Sequence, residues 1–141
     1  MRKLDQRGVA AFEFCLVGGA FFVLVFAIFD LGRYAITMQS LRTLASVGAR
    51  QMIINCYTPA ITGITPNTSP SSCTGDPLST ADKQRAAPFL FSRDGSLSPT
   101  VNTTSAGTEL TVTARQPGFT MLLPIWGAAF NAPSAIAKVP F

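Results

Sequence analysis

The side chains able to do chemistry are few. The chain holds seven aspartates and glutamates, three cysteines and no histidine. Without an imidazole it lacks the commonest general base and the commonest metal ligand. Asp76, Asp82, Asp94 and Glu109 are spread along the sequence with no close pair, and no serine sits in a G-x-S-x-G turn. The expectation is a protein that is not an enzyme and has no cofactor or metal. Glu13 is a different case: it is the only charged residue between Gly8 and Asp30, in an otherwise apolar run. An ionised side chain inside a membrane helix costs about 2.5–3.5 kcal/mol on insertion scales, so such a residue calls for a partner. The cysteines divide in two. Cys15 lies in the apolar run, where a thiol behaves as a small hydrophobe. Cys56 and Cys73 flank a polar stretch, and in an oxidising compartment a bridge between them closes a loop worth ~3 kcal/mol on the chain-entropy model.

The elements that carry these residues follow from patterning. Apolar residues make up 48% of the 141-residue chain and charged residues 13%. The run from Val9 to Phe29 is about 31 Å long as a helix at ~1.5 Å per residue, which matches a ~30 Å hydrocarbon core. It is a transmembrane candidate in contact with lipid. Arg2, Lys3 and Arg7 against Asp5 place the preceding end in the cytoplasm by the positive-inside rule, with the rest exported. The run is longer than a secretory h-region, and no A-x-A-like site follows it. From Asp30 to Asn55 there is no proline. Tyr34, Met38, Leu41, Ala45, Gly48 and Met52 share one face, while Arg33, Thr37, Ser40, Thr43, Ser46 and Arg50 share the other. One rod from Val9 to Asn55, ~70 Å long, is expected, half in lipid and half outside as an amphipathic extension over 30–55.

Residues 56–78, rich in Thr, Ser, Pro and Gly, read as a disulfide-tethered loop. Residues 79–141 read as a small α+β region. Ser79 with Asp82 resembles a helix cap, and Pro88 ends the short helix. Arg93–Gly95 is a turn signal. ELTVTAR, Glu109 to Arg115, alternates as a half-buried strand, and the tail SAIAKVPF alternates as an antiparallel partner for it. Between them FTMLLPIWGAAF, Phe119 to Phe130, is apolar but broken by Pro124 and Gly127; it is either a core connection or a docking surface for another subunit, with the core favoured. The fold class is thus α+β, a long N-terminal helix followed by a small extracytoplasmic domain. The net charge of +4 is carried by scattered residues. No basic stripe interleaved with aromatics points to nucleic acid.

Gly8 followed by VAAFEF resembles a type IV prepilin site: a short basic leader, a glycine, a hydrophobic helix, and a glutamate at the fifth position after the glycine. The resemblance implies that residues 1–8 are a leader, cut between Gly8 and Val9 on the cytoplasmic face by a membrane aspartyl peptidase. Helical i,i+4 geometry then lets the new ammonium of Val9, or that of a neighbouring subunit, neutralise Glu13. Further along, the chain is similar to the TadE family of pilin-like proteins from tight-adherence systems. The matching positions are Arg7 and Gly8, Glu13 and Phe14, Leu16, Asp30, Gly32 and Arg33, and Gly48, Ala49 and Arg50. Phe12 stands where the family often has valine, and Cys15 where alanine is common; both keep the apolar character. The similar TadF family shares this N-terminal plan. Ala11, Cys15, Gly19, Ala27 and Ala35 also form a ladder of small residues, interrupted by Val23 and Leu31, which suits close helix packing.

What the resemblance implies is a minor pilin or pseudopilin of a tight-adherence pilus, in the bacterial inner membrane with its C-terminus periplasmic or extracellular. Implied partners are the prepilin peptidase, other pilin or pseudopilin subunits and the inner-membrane assembly platform. Major pilins of this system resemble a bare helix with a short tail, so the domain here fits a minor subunit. The alternative is an uncleaved, signal-anchored binding or adhesion protein, which predicts no processing at Gly8 and no sensitivity to Glu13.

Overall fold

The computed structural model describes residues 6–63, 72–91, 97–106 and 109–140; the side chains of Gln6 and Arg7 are outside the description. The leader before Gln6, residues 64–71 of the Thr/Ser/Pro stretch and the turn expected at Arg93–Gly95 lie outside the described residues. Within them the chain is α+β: one long helix, α1 (Gln6–Met52), and a three-stranded antiparallel sheet packed on its C-terminal half.

The helical path does not stop near Asn55. After α1 comes a π-helical turn, Ile53–Tyr57, and then α2 (Thr58–Ile61). Proline explains the change of register: Pro59 has no N–H with which to continue the ladder of i→i−4 bonds. Just before it, the Thr58 N–H reaches back to the Ile53 carbonyl, the wider i→i−5 spacing. Cys56, in this turn, is bridged to Cys73. Beyond Cys73, Gly75 pairs with Thr103 on the outer edge of the sheet through two backbone hydrogen bonds of 3.1 and 2.8 Å. Gly75 does so at φ +93°, a conformation natural to glycine. The disulfide thus ties the end of the helix to the segment that covers the sheet edge.

Helix α3 (Thr80–Ala86) begins where the cap signal placed it, with the Ser79 hydroxyl accepting the Asp82 N–H at 3.2 Å. The sheet consists of β1 (Thr100–Ala106), β2 (Glu109–Arg115) and β3 (Ser134–Pro140), in that order. Strand β2 has the expected bounds and pairs antiparallel with the tail, Glu109 opposite Pro140 and Arg115 opposite Ser134. Strand β1 was not expected. It pairs on the other side of β2, Thr100 opposite Arg115.

The core lies between sheet and helix. Val101 and Thr103 from β1, Leu110, Val112 and Ala114 from β2, and Ala135 from β3 are buried, as period-two alternation requires. Against them α1 buries Leu41, Leu44, Ala45, Gly48, Ala49 and Met52. Leu90 and Ala87, after α3, close one side, and the Gln116 amide donates to the Leu90 carbonyl at 2.9 Å. Gly48 is the point of closest approach: a Cβ there would meet Val112 Cγ1 at 3.2 Å, Val101 Cγ1 at 3.5 Å and Pro77 Cγ at 3.6 Å.

Gly48→Leu should therefore push the sheet off the helix and destabilise the domain by about 1–3 kcal/mol through overpacking. Gly48→Ala should be nearly neutral, because a gain of ~1 kcal/mol in helix propensity offsets a mild contact. Denaturant unfolding of the detergent-solubilised chain distinguishes the two; equal effects would mean that helix propensity rather than the close approach controls this position.

Candidate functional site

The residues singled out by the sequence fall into two groups. Those from Gly8 to Phe29 lie on a helix that leaves the domain behind. Val9, Phe12, Phe14, Leu16, Phe21, Phe22 and their neighbours are exposed, Phe14 by 78%. Ala11, Cys15, Gly19 and Ala35 are exposed, and Ala27 is partly so. A Cβ at Gly8, Gly18, Gly19 or Gly32 would meet nothing in this chain within 4 Å. Glu13 is exposed on the same surface.

The second group, from Asp30 onward, is built into the domain. Asp30 is the first buried residue of the helix and its side chain is wholly enclosed. Its carboxylate accepts the backbone N–H of Leu122 through both oxygens, at 3.1 and 3.0 Å, and that of Leu123 at 3.0 Å. Arg33, one turn on, lies 3.7 Å from the same carboxylate. Its guanidinium also sits over the Phe119 ring, 5.4 Å from the centroid, a cation–π distance. Tyr34 makes ring contacts with Phe119 at 6.2 Å and with Phe130 at 5.2 Å, edge to face. Asp30, Arg33 and Tyr34 thus hold the apolar loop between Phe119 and Phe130 against the helix.

That loop has a closed neck. The Ala132 N–H donates to the Phe119 carbonyl at 2.9 Å, and the Met121 N–H to Asn131 Oδ1 at 3.1 Å. Ala132 adopts φ +50° to make this return. A single 3₁₀ turn, Pro124–Trp126, forms the tip, left through Gly127 at φ +61°. Of the two readings of this segment, the core connection describes Phe119, which is buried; Leu122 and Ile125 are 70% and 63% exposed.

Burial by itself raises the pKa of the Asp30 carboxyl, but the backbone N–H groups of Leu123 and Leu122, then the charge of Arg33, outweigh it. The Trp126 indole adds to this stabilisation, although its N–H is buried without a hydrogen bond of normal geometry. The net result is a carboxyl held below the usual aspartate range.

Among the remaining motif residues, Gly48 and Ala49 serve the helix–sheet contact, and Arg50 is exposed beside Ile53, Ala137 and Val139. Among the described residues no three His, Cys, Asp or Glu side chains cluster to hold a metal. Sequence reasoning identified Asp30 and Arg33 only as motif positions and missed what they hold. The available signal was the chain from Gln116 to Ala137, which carries no charge and so needs a polar anchor from elsewhere.

One helix is long and apolar enough to cross a membrane, and it carries a small α+β domain on its far half. Among the described residues this is the one such helix, and its length and composition are consistent with membrane anchoring. Residues 8–50 match the TadE-like protein family, so the helix from the glycine through Gly-Ala-Arg is TadE-like. The match covers the long helix and stops short of the sheet. No curated protein and no solved structure matches the chain.

Because the folded-state pKa of Asp30 is depressed, protons bind more readily in the undocked state. Its stabilisation of the loop is present above the ordinary aspartate value of about 3.9 and is lost as pH falls through the lower folded value. Emission from Trp126, the one tryptophan, should shift on acidification below about pH 4 in detergent. In Asp30→Asn the loop should already be loosened at neutral pH and that acid transition flattened. An unchanged transition in the variant would assign it to another carboxylate.

Proposed function

We propose that this chain is a minor pilin or pseudopilin, cut between Gly8 and Val9, that takes part in assembling or initiating a tight-adherence type IV pilus. The observation carrying this reading is the TadE-like match over residues 8–50, which begins at the glycine, includes Glu13 and ends at the contact between helix and domain. The helix geometry supports it. A subunit of a helical bundle needs an apolar surface that its own domain leaves open, and from Val9 to Phe29 the helix leaves its apolar side chains exposed.

In this reading the leader keeps residues 1–8 on the cytoplasmic face and the domain lies on the opposite side. Cleavage by the prepilin peptidase converts Val9 into an ammonium one helical turn from Glu13. Among the described residues Glu13 has no ion-pair or hydrogen-bond partner, and in this reading the new terminus, or that of a neighbouring subunit, supplies one. The second pairing fixes axial register between helices as they leave the membrane for the filament. The small side chains of Ala11, Cys15, Gly19, Ala27 and Ala35 permit close approach there. The assembly platform and other pilins are the partners, with the domain at a filament tip or in an initiating complex.

Intact mass and N-terminal sequencing of membrane-extracted protein, from cells with and without the prepilin peptidase, test the processing step. A chain starting at Val9 only when the peptidase is present is expected; one starting at Met1 in both would leave a signal-anchored protein. Glu13→Ala should insert into the membrane normally and abolish pilus assembly. Normal piliation in that variant would remove the charge-pairing role.

A further inference from the structure

We propose that the loop between Phe119 and Ala132 is a second membrane contact, whose apolar tip of Leu122, Ile125 and Trp126 enters the interface of the bilayer where the helix leaves it. The inference rests on the membrane-spanning part of the reading above and not on the pilus role.

The direction of the loop is fixed by its contacts. Phe119 and Phe130, at its two ends, lie against Tyr34. The amides of Leu122 and Leu123 lie on Asp30, one helical turn, or about 6 Å, closer to the apolar run. The chain therefore descends from Phe119 toward the membrane, turns through Pro124–Trp126, and climbs back to Phe130. Its tip is beside the end of the run that spans the bilayer, where Phe26 and Phe29 are also exposed.

The composition of the loop fits lipid. Between Arg115 and Lys138 there is no charged side chain. Leu122 and Ile125 are held outward by a neck of backbone and side-chain hydrogen bonds. Trp126, in edge-to-face contact with Phe130 at 6.1 Å, is half-buried, with its indole N–H turned inward and part of its apolar ring left open at the tip. Asp30 completes the arrangement. At this depth a bare carboxylate would be costly, but this one is enclosed and satisfied by the loop's own amides. Docking the loop thus removes a charge from the boundary and replaces it with leucine, isoleucine and tryptophan.

Trp126 reports its own depth, because it is the only tryptophan in the chain. The full chain is reconstituted in vesicles of phosphatidylcholine and phosphatidylglycerol containing lipids that bear a nitroxide either near the headgroup or at the chain end. Cys15, the one cysteine outside the disulfide, is tested in the same vesicles with a water-soluble maleimide to verify that the helix is inserted. The expected result is a protected Cys15 and Trp126 emission quenched more by the shallow label than by the deep one. Leu122→Ser with Ile125→Ser should lose much of that quenching with an unchanged circular dichroism spectrum. A protected Cys15 with Trp126 unquenched by either label would overturn the loop contact and leave the anchor standing. A Trp126 signal that varies with protein density rather than with the lipid label would assign the tip to a second copy, and also overturn it. A modified Cys15 would overturn the anchor and the loop contact together.

Discussion

The structure depends on one helix having to serve two solvents. A single unbroken backbone runs from Gln6 to Met52 with its ladder of hydrogen bonds satisfied internally, which is what allows any part of it to lie in hydrocarbon. Its side chains divide it. Before Asp30 every described position is fully or partly exposed; from Asp30 onward one stripe is covered by the domain. The changeover falls at a carboxylate, and that carboxylate is the anchor for chain more than ninety positions away in sequence. Asp30, Arg33 and Tyr34 settle where the domain begins, because they hold the uncharged loop against the helix there.

From that point outward the domain is suspended along the helix rather than at its tip. The sheet lies along α1, and it comes close only because Gly48 and Ala49 offer almost no side chain at the contact. The far end is fastened covalently: Cys56 joins Cys73, and the following Gly75 pairs with the edge of β1. A helix this long has little resistance to a small domain rocking on it. Three fastenings spaced along it, the Asp30 cluster, the Gly48 approach and the disulfide, remove that freedom in turn.

The parts legible in the sequence were those where one local pattern decided the outcome. The apolar run, the Ser79 cap, and the alternation in ELTVTAR and SAIAKVP are complete signals within a few residues, and the observed elements follow them. Strand β1 was missed because TVNTTSA offers one strong hydrophobe. Its second inward position is Thr103, whose hydroxyl is buried without a partner, so the tertiary pairing with β2 overrides a weak pattern. The helix end was misjudged for another reason. The polar composition after Asn55 suggested a loop, but a π turn absorbs Pro59 and lets the helix run on to Ile61. The role of Asp30 could not be read locally at all: its partners are backbone N–H groups of residues 122 and 123, and backbone groups leave no mark on a sequence.

Two carboxylates on one helix therefore illustrate two solutions to the same cost. Asp30 is neutralised within the chain, by amides, a guanidinium and an indole, and the result is a fixed geometry that does not depend on any other molecule. Glu13, in the apolar run, has no such partner among the described residues. In the proposed reading, a positive terminus brought to it by processing or by a neighbouring subunit offsets that charge. The proposed pilin reading follows this asymmetry. In that reading the chain completes itself at Asp30, where its position must be fixed, and leaves Glu13 to be completed by processing or by a second subunit.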